Sequence, residues 1–258
     1  MHKLVPARLR RAIKKLTRRK SLQIFADDVF LVSYPRSGNT WLRYLLANLL
    51  APTEEWNIIN IGRVVPDIVE EYPKNPVPTQ PRILKSHEPF CKAYPRAMYL
   101  YRDGRDVAVS YYDFHVKLRA YQKDFATFVE EMLSGKLKSG SWQEHTRSWL
   151  FDNHSTPVFP ICYEKLCTDT EKELQRIGDY LGMTWSRQEI NAATAKSTLE
   201  KQRKDFRQYK SDSHWSKGFR GGVKGGPGKW RQVFDEQLNA LFWEYAGDVS
   251  TKLGYPKV

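Results

Sequence analysis

The sequence predicts one α/β domain: a mostly parallel central sheet with helices on both faces. Three observations carry this. Short apolar runs alternate with longer amphipathic stretches of helical period, the pattern of strands joined by crossover helices. Polar clusters stand at or just past the ends of the apolar runs, at Tyr34–Thr40, Ser86–His87, Arg102–Arg105 and Tyr163–Glu164. In an open parallel sheet that edge is where ligands bind. Finally, 258 residues with 13% aromatics are enough for one large packed core.

Taken in order, residues 1–24 form a basic segment set apart from the domain at 25–258. Its stretch Leu4–Lys20, "LVPARLRRAIKKLTRRK", is weakly amphipathic and suits peripheral contact with an anionic membrane, or a solvated terminal arm. Val29–Ser33 reads as a buried strand and Thr40–Leu50 as the helix after it, ended by Pro52. Six prolines between Pro52 and Pro81 make a long connection with at most a helical turn, of the kind that often faces substrate. "RILKSH" (Arg82–His87) and "AMYLY" (Ala97–Tyr101) are further strands, the second followed by a helix from Asp106. "PVFPICYE" (Pro157–Glu164) is a fourth strand, weakened by Pro160. Helices are expected at Asp169–Leu181, Arg187–Ala195 and Asp235–Leu253. Arg203–Lys229, basic and glycine-rich, reads as mobile.

Lys and Arg number 42 against 29 Asp and Glu, a formal charge of +13, which favours an anionic ligand, cofactor or surface. Cys91, Cys162 and Cys167 form no metal or disulfide pattern and fit a reducing, cytoplasmic setting. No apolar run reaches the roughly 18 residues that span a bilayer, and no apolar stretch of signal-peptide type follows the N-terminal charges.

The loop between the first strand and its helix, Tyr34-Pro35-Arg36-Ser37-Gly38-Asn39-Thr40, is suited to an oxyanion. A helix N-terminus offers unpaired N–H groups and a positive dipole end. Gly38 lets backbone approach closely, and Arg36 adds a forked cation. The loop is not a Walker sequence: the first glycine and the Gly-Lys-Thr/Ser ending are missing, and no acidic residue sits at a clear strand end to hold magnesium.

"YPRSGNTW" (Tyr34–Trp41) resembles the 5′-phosphosulfate loop of the cytosolic-type sulfotransferase family, Tyr-Pro-Lys-Ser-Gly-Thr-Thr-Trp, with Arg36 for lysine and Asn39 for threonine. "RDGRDVAVS" is similar to the family's 3′-phosphate element, Arg-x-x-x-Asp-x-x-x-Ser. "LKSH" is similar to its Lys-Thr-His stretch. "VKGGPGKW" is a looser match to its Arg-Lys-Gly-x-x-Gly-Asp-Trp lid, with Val223 and Lys229 departing from the pattern. The resemblance covers about Val29 to Phe234. It implies a P-loop-like phosphosulfate-binding loop and a co-substrate, 3′-phosphoadenosine 5′-phosphosulfate (PAPS), that leaves as 3′,5′-adenosine bisphosphate (PAP) with no metal. It implies nucleotide contacts from Arg36, Ser37, Gly38, Asn39, Thr40, Trp41, Arg102, Ser110, Tyr163, Ser197, Lys224 and Gly225, with Arg220 supplying the charge missing at Val223. His87, Lys85 and Arg36 carry over as the catalytic residues. Asp106 is expected to cap its helix or orient Arg102.

The implied reaction is in-line sulfuryl transfer to a hydroxyl, or an amine, with His87 as general base and Arg36 and Lys85 on the sulfuryl oxygens. An imidazole of ordinary pKa, ~6.5, would make activity rise with pH through that value. Two other readings remain open: a P-loop-like nucleotide kinase, and a non-catalytic binder of anionic polymers. The acceptor is expected to be a small molecule, lipid or carbohydrate; nucleic acid is not expected as a partner. Tyr111, Tyr112, Phe114, Tyr121, Phe125 and Phe128 have the spacing of a helical core, with an acceptor pocket as the alternative. The family's carboxy-terminal dimer motif is not apparent around Arg231–Leu241.

Overall fold

In the computed structural model, residues 23–70, 72–117, 120–152, 156–208 and 226–257 are described. Among them four strands, β1 (Val29–Val32), β2 (Ile83–Ser86), β3 (Arg96–Tyr101) and β4 (Val158–Cys162), form one parallel sheet in the order β2-β1-β3-β4. The chain leaves β1 for β2 on one side, then crosses back to β3 on the other. The loops after β1 and β3 therefore diverge around a crevice at the carboxyl edge.

Alternation along the strands sorts the core. Val29 and Leu31, with Ile83, Met98 and Leu100, face α1 (Asn39–Leu50) and the helices α6 (Thr170–Leu181) and α7 (Arg187–Lys196). Phe30, Val32, Leu84, Ala97 and Tyr99 face the other way, onto Ile24, Tyr94 and Trp149. Both faces are covered, which is why the strands read as unbroken apolar runs. A third cluster joins α2 (Gly104–Lys117), α3 (Phe125–Leu133), α4 (Trp142–Leu150) and α9 (Glu236–Lys252).

The elements differ from the sequence reading at their ends, and for local reasons. Helix α1 starts at Asn39, with Gly38 in the left-handed region as its N-cap. Helix α2 starts at Gly104, two residues before Asp106. Glu164 belongs to α5 (Tyr163–Thr168), a single short helix that the strand reading of Pro157–Glu164 ran into. The sequence reading lacked α3 and α4, although each carries a cap: Asp124 accepts from Thr127 N, and Ser141 from Glu144 N. The front of the segment read as mobile is helical, because α8 (Leu199–Gln208) is held to α1 by the Tyr44 hydroxyl donating to Asp205 (2.9 Å). Residues 209–225 of that segment, and residues 1–22 of the basic segment 1–24, lie outside the described residues.

The proline-rich connection is ordered by the sheet. Lys85 N donates to Pro66 O (2.8 Å) and Ile68 N to Lys85 O (3.0 Å), so Pro66–Ile68 runs parallel to β2 as an added edge. That pairing brings Asp67 to the site. No helix among the described residues is long and apolar enough to cross a membrane.

Candidate active site

The loop after β1 is tightly wound. Arg36 (φ 72°) and Gly38 (φ 106°) both occupy the left-handed region. For Arg36 this conformation costs roughly 1–3 kcal/mol, the kind of strain that folds retain at ligand sites. A Cβ on Gly38 would run into the ring of Tyr163. The Ser37 hydroxyl is buried and has no partner. A buried hydroxyl left unmatched costs about 1–3 kcal/mol, which an incoming oxyanion at the α1 N-terminus would recover.

Beside this loop two guanidinium groups converge. Arg36 Nε donates to Ser110 Oγ (3.3 Å), and the group lies 4.8 Å over the Phe114 ring. Arg102, at the end of β3, reaches toward Arg36 O (3.5 Å) and stacks 4.4 Å from the Tyr163 ring. Burial, and then the nearness of Arg102, lowers the Arg36 pKa to about 10. Tyr163 meets Trp41 edge to face at 5.9 Å. Arg36, Gly38, Trp41, Arg102, Ser110 and Tyr163 are thus brought together in one cluster. Asn39 differs: its amide donates to Ser33 Oγ (3.1 Å), on the His87 side.

His87 stands just past the end of β2, half-buried. Its Nδ1 lies 2.7 Å from Ser33 O and 3.3 Å from Ser33 Oγ. A carbonyl only accepts, so Nδ1 carries the proton and the lone pair of the neutral ring is on Nε2. Burial, with the Lys85 charge as a second cause, pushes the His87 pKa down to about 3. The ordinary value expected from sequence therefore does not hold, and the ring is neutral throughout the physiological range. Behind it, buried His145 donates from Nε2 to His87 O (3.2 Å) and accepts at Nδ1 from the Tyr99 hydroxyl (2.8 Å). Burial lowers the His145 pKa to about 4.

Lys85 lies on the α1 face, like its register partner Leu31. Its ammonium is 2.5 Å from Asp67 Oδ2, and both side chains are buried. Burial pulls the Lys85 pKa down. Burial works against the Asp67 charge too, but the Lys85 ammonium outweighs it and holds this carboxyl below its usual range. Asp67 was not among the sequence candidates; fifteen residues of connection separate it from β2, and no motif marked it.

Of the two readings offered for Asp106, orienting Arg102 is the one the structure carries: at the start of α2 it is Asp103 that accepts from Arg105 N (2.9 Å), and the amides that reach Asp106 come from outside its helix. The Asp106 carboxylate is 3.6 Å from Arg102 Nη2, and it also accepts from Gly228 N (2.6 Å) and Trp230 N (3.0 Å). Arg102 Nη2 in turn donates to Gly226 O (2.9 Å). The end of the lid-like stretch, Gly226–Trp230, is thereby pinned to α2 and Arg102. Arg220, Lys224 and Gly225 lie outside the described residues.

Ser197 is not brought to the cluster. It is fully buried, donating to Ala193 O (2.7 Å) and accepting from Asn48 (3.2 Å), so its hydroxyl serves helix packing and has no face open to a nucleotide. Within the aromatic set, Tyr112 contacts Phe125 (5.3 Å) and Phe128 (5.5 Å) and Tyr121 contacts Phe128 (5.0 Å), ring centre to ring centre, as packing requires, while Phe114 faces Arg36. No group of His, Cys, Asp and Glu that could hold a metal occurs among the described residues.

Residues 26–254 match the model of the Sulfotransferase domain family. The chain belongs to the sulfotransferase family. Its reaction is accordingly sulfuryl transfer from PAPS to a hydroxyl acceptor. Sulfotransferase 1A1 of Bos taurus is 25% identical over 248 residues, covering 86% of this chain and 83% of the relative. Amine sulfotransferase of Oryctolagus cuniculus is 27% identical over 206 residues, covering 73% and 67%. Among solved structures, mouse SULT7A1 complexed with PAP superposes with a TM-score of 0.67 at 24% identity, over 94% of this chain and 91% of that one. Retinol dehydratase in complex with androsterone and PAP gives 0.69 at 19% identity, over 97% and 96%. These two likenesses establish a shared fold.

Proposed function

We propose that His87 is the general base of this sulfotransferase and that PAPS lies along the carboxyl edge from Ser37 to Arg102. The observation that carries the reading is the tautomer of His87. The Ser33 carbonyl fixes the proton on Nδ1, which leaves Nε2 to accept one. His87 takes the proton of the acceptor hydroxyl as its oxygen bonds to sulfur. The bond from sulfur to the bridging phosphate oxygen breaks, its electron pair stays on that oxygen, and PAP departs. The amides of the α1 first turn and the Ser37 hydroxyl receive the 5′-phosphosulfate, for which Gly38 keeps the backbone clear. Arg102 and Ser110 hold the 3′-phosphate, and Trp41 and Tyr163 flank the base. Arg36 stabilises charge developing on the transferred group. Lys85 contributes less net charge to it than a solitary lysine, because Asp67 shares the ammonium.

The acceptor is a small molecule, and an amine acceptor is compatible with a neutral base at this position. Free Cys91, Cys162 and Cys167 support a cytoplasmic setting. His87→Ala is expected to keep PAP affinity within a few-fold, while transfer to an aliphatic alcohol falls by roughly 10²–10⁴, the usual worth of a positioned base. Isothermal calorimetry and a PAPS-dependent transfer assay measure the two. Full transfer by a folded, PAP-binding variant would remove His87 from the mechanism.

A further inference from the structure

We infer that Asp106 is a positioning residue for the 3′-phosphate end of the nucleotide site, acting through Arg102 and through the backbone of Gly226–Trp230. The inference rests on the nucleotide reading given above and assigns Asp106 no contact with the nucleotide itself.

The carboxylate is almost fully buried on the first turn of α2, and three donors converge on it. Gly228 N and Trp230 N reach it at 2.6 and 3.0 Å, and Arg102 Nη2 stands 3.6 Å away. Arg102 closes the ring from the other side by donating to Gly226 O at 2.9 Å. Two side chains four residues apart therefore grip one short stretch of backbone by its N–H and its C=O groups. Gly228 sits at φ 83°, a left-handed turn that points its amide inward.

The grip is backed by a second layer. The Trp230 ring covers the guanidinium of Arg105 at 3.6 Å. Arg105 donates to both oxygens of Asp103 (3.0 and 2.8 Å) and to Pro256 O (3.2 Å). Helix α2 thus holds the 226–230 stretch at two points, both beside the arginine that faces the phosphate. A carboxylate this close to an anion site would repel the anion if it were bare. Taking two backbone N–H bonds and an arginine directs its charge into fixing Arg102.

The test compares PAP with adenosine 5′-phosphate, which lacks the 3′-phosphate. Both affinities are measured by calorimetry on the wild type and on D106N, whose amide cannot accept from both backbone donors at once. The expected result is a loss of roughly tenfold or more in PAP affinity with adenosine 5′-phosphate binding little changed, since charge-assisted hydrogen bonds hold Arg102 in place. A purely structural role would weaken both nucleotides together. In the wild type, hydrogen exchange by mass spectrometry should find the Gly228 and Trp230 amides protected before ligand is added and slower again with PAP. That arm stands even if D106N does not fold. Amides exchanging at unprotected rates, or a folded D106N that keeps the full preference for PAP, would overturn the assignment of Asp106. A wild type without any preference for PAP would overturn the nucleotide reading beneath it.

Discussion

His87 depends on a carbonyl for its direction and on burial for its charge state. Ser33 O fixes the proton on Nδ1, His87 O is in turn held by His145, and both rings have their pKa values pushed down, to about 3 and about 4. An unfolded imidazole titrates near ~6.5. Between those limits the unfolded chain binds up to two more protons than the folded one. Stability from the neutral rings is therefore complete above about pH 6.5 and is lost as pH falls toward the folded values, at up to ~1.4 kcal/mol per pH unit per ring. Urea unfolding from pH 8 to 4 should report this loss. The pH profile of kcat/KM should show no limb near 6.5, because the free enzyme's base is already unprotonated there; a limb at that pH belonging to His87 would contradict the burial argument. At Gly38 a side chain faces both a positive φ and the Tyr163 ring. Gly38→Ala is expected to cost about 1–2 kcal/mol in stability from the backbone alone. It should weaken PAP binding as well, since Tyr163 must move; thermal melting and calorimetry measure the two effects.

At the scale of elements, the Pro66–Ile68 edge added to β2 matters because it places Asp67 on Lys85. Removing one member of a buried pair strands the other charge, which typically costs ~3–5 kcal/mol, whereas replacing both by apolar groups of similar size is often close to neutral. Asp67→Asn and Lys85→Met should each destabilise by that amount. The double variant should fall well short of the sum, and a denaturant double-mutant cycle reads the coupling. Additive losses would mean that the two side chains do not form a pair in solution. The capped starts of α3 and α4 belong to the same scale. Asp124 and Ser141 fix where those helices begin, and the helices in turn supply Phe128 and Trp142 to the third core cluster.

For the molecule as a whole, the crossover that runs β1 to β2 and then back to β3 opens a crevice, and ligand binding there joins segments far apart in sequence. PAP contacting the β1 loop, the β3 end and α5 would bind only the folded state. At a concentration of 100 times its dissociation constant it should raise stability by about 2.7 kcal/mol. Adenosine 5′-phosphate at the same concentration should raise the melting temperature less. Equal shifts from both would leave Arg102 and Ser110 without a 3′-phosphate to hold.

The sequence by itself determined the parallel α/β class, because unbroken apolar strands and amphipathic helices must bury their faces against each other. It marked the loop after β1 as suited to an anion, because Ser37, Gly38 and the α1 N-terminus are contiguous, and the placement of Lys85, His87 and Arg102 at strand ends followed from the same periodicities. What only the tertiary structure decided are the pairings between distant segments. Asp67 reaches Lys85 across the proline-rich connection, Asp106 takes amides more than a hundred residues further on, and Ser197 turns its hydroxyl into a helix instead of the cleft. Local periodicity reports which face of an element is buried. It carries no information about which partner waits there, and that partner decides what Lys85 pairs with, which way His87 points and what holds residues 226–230.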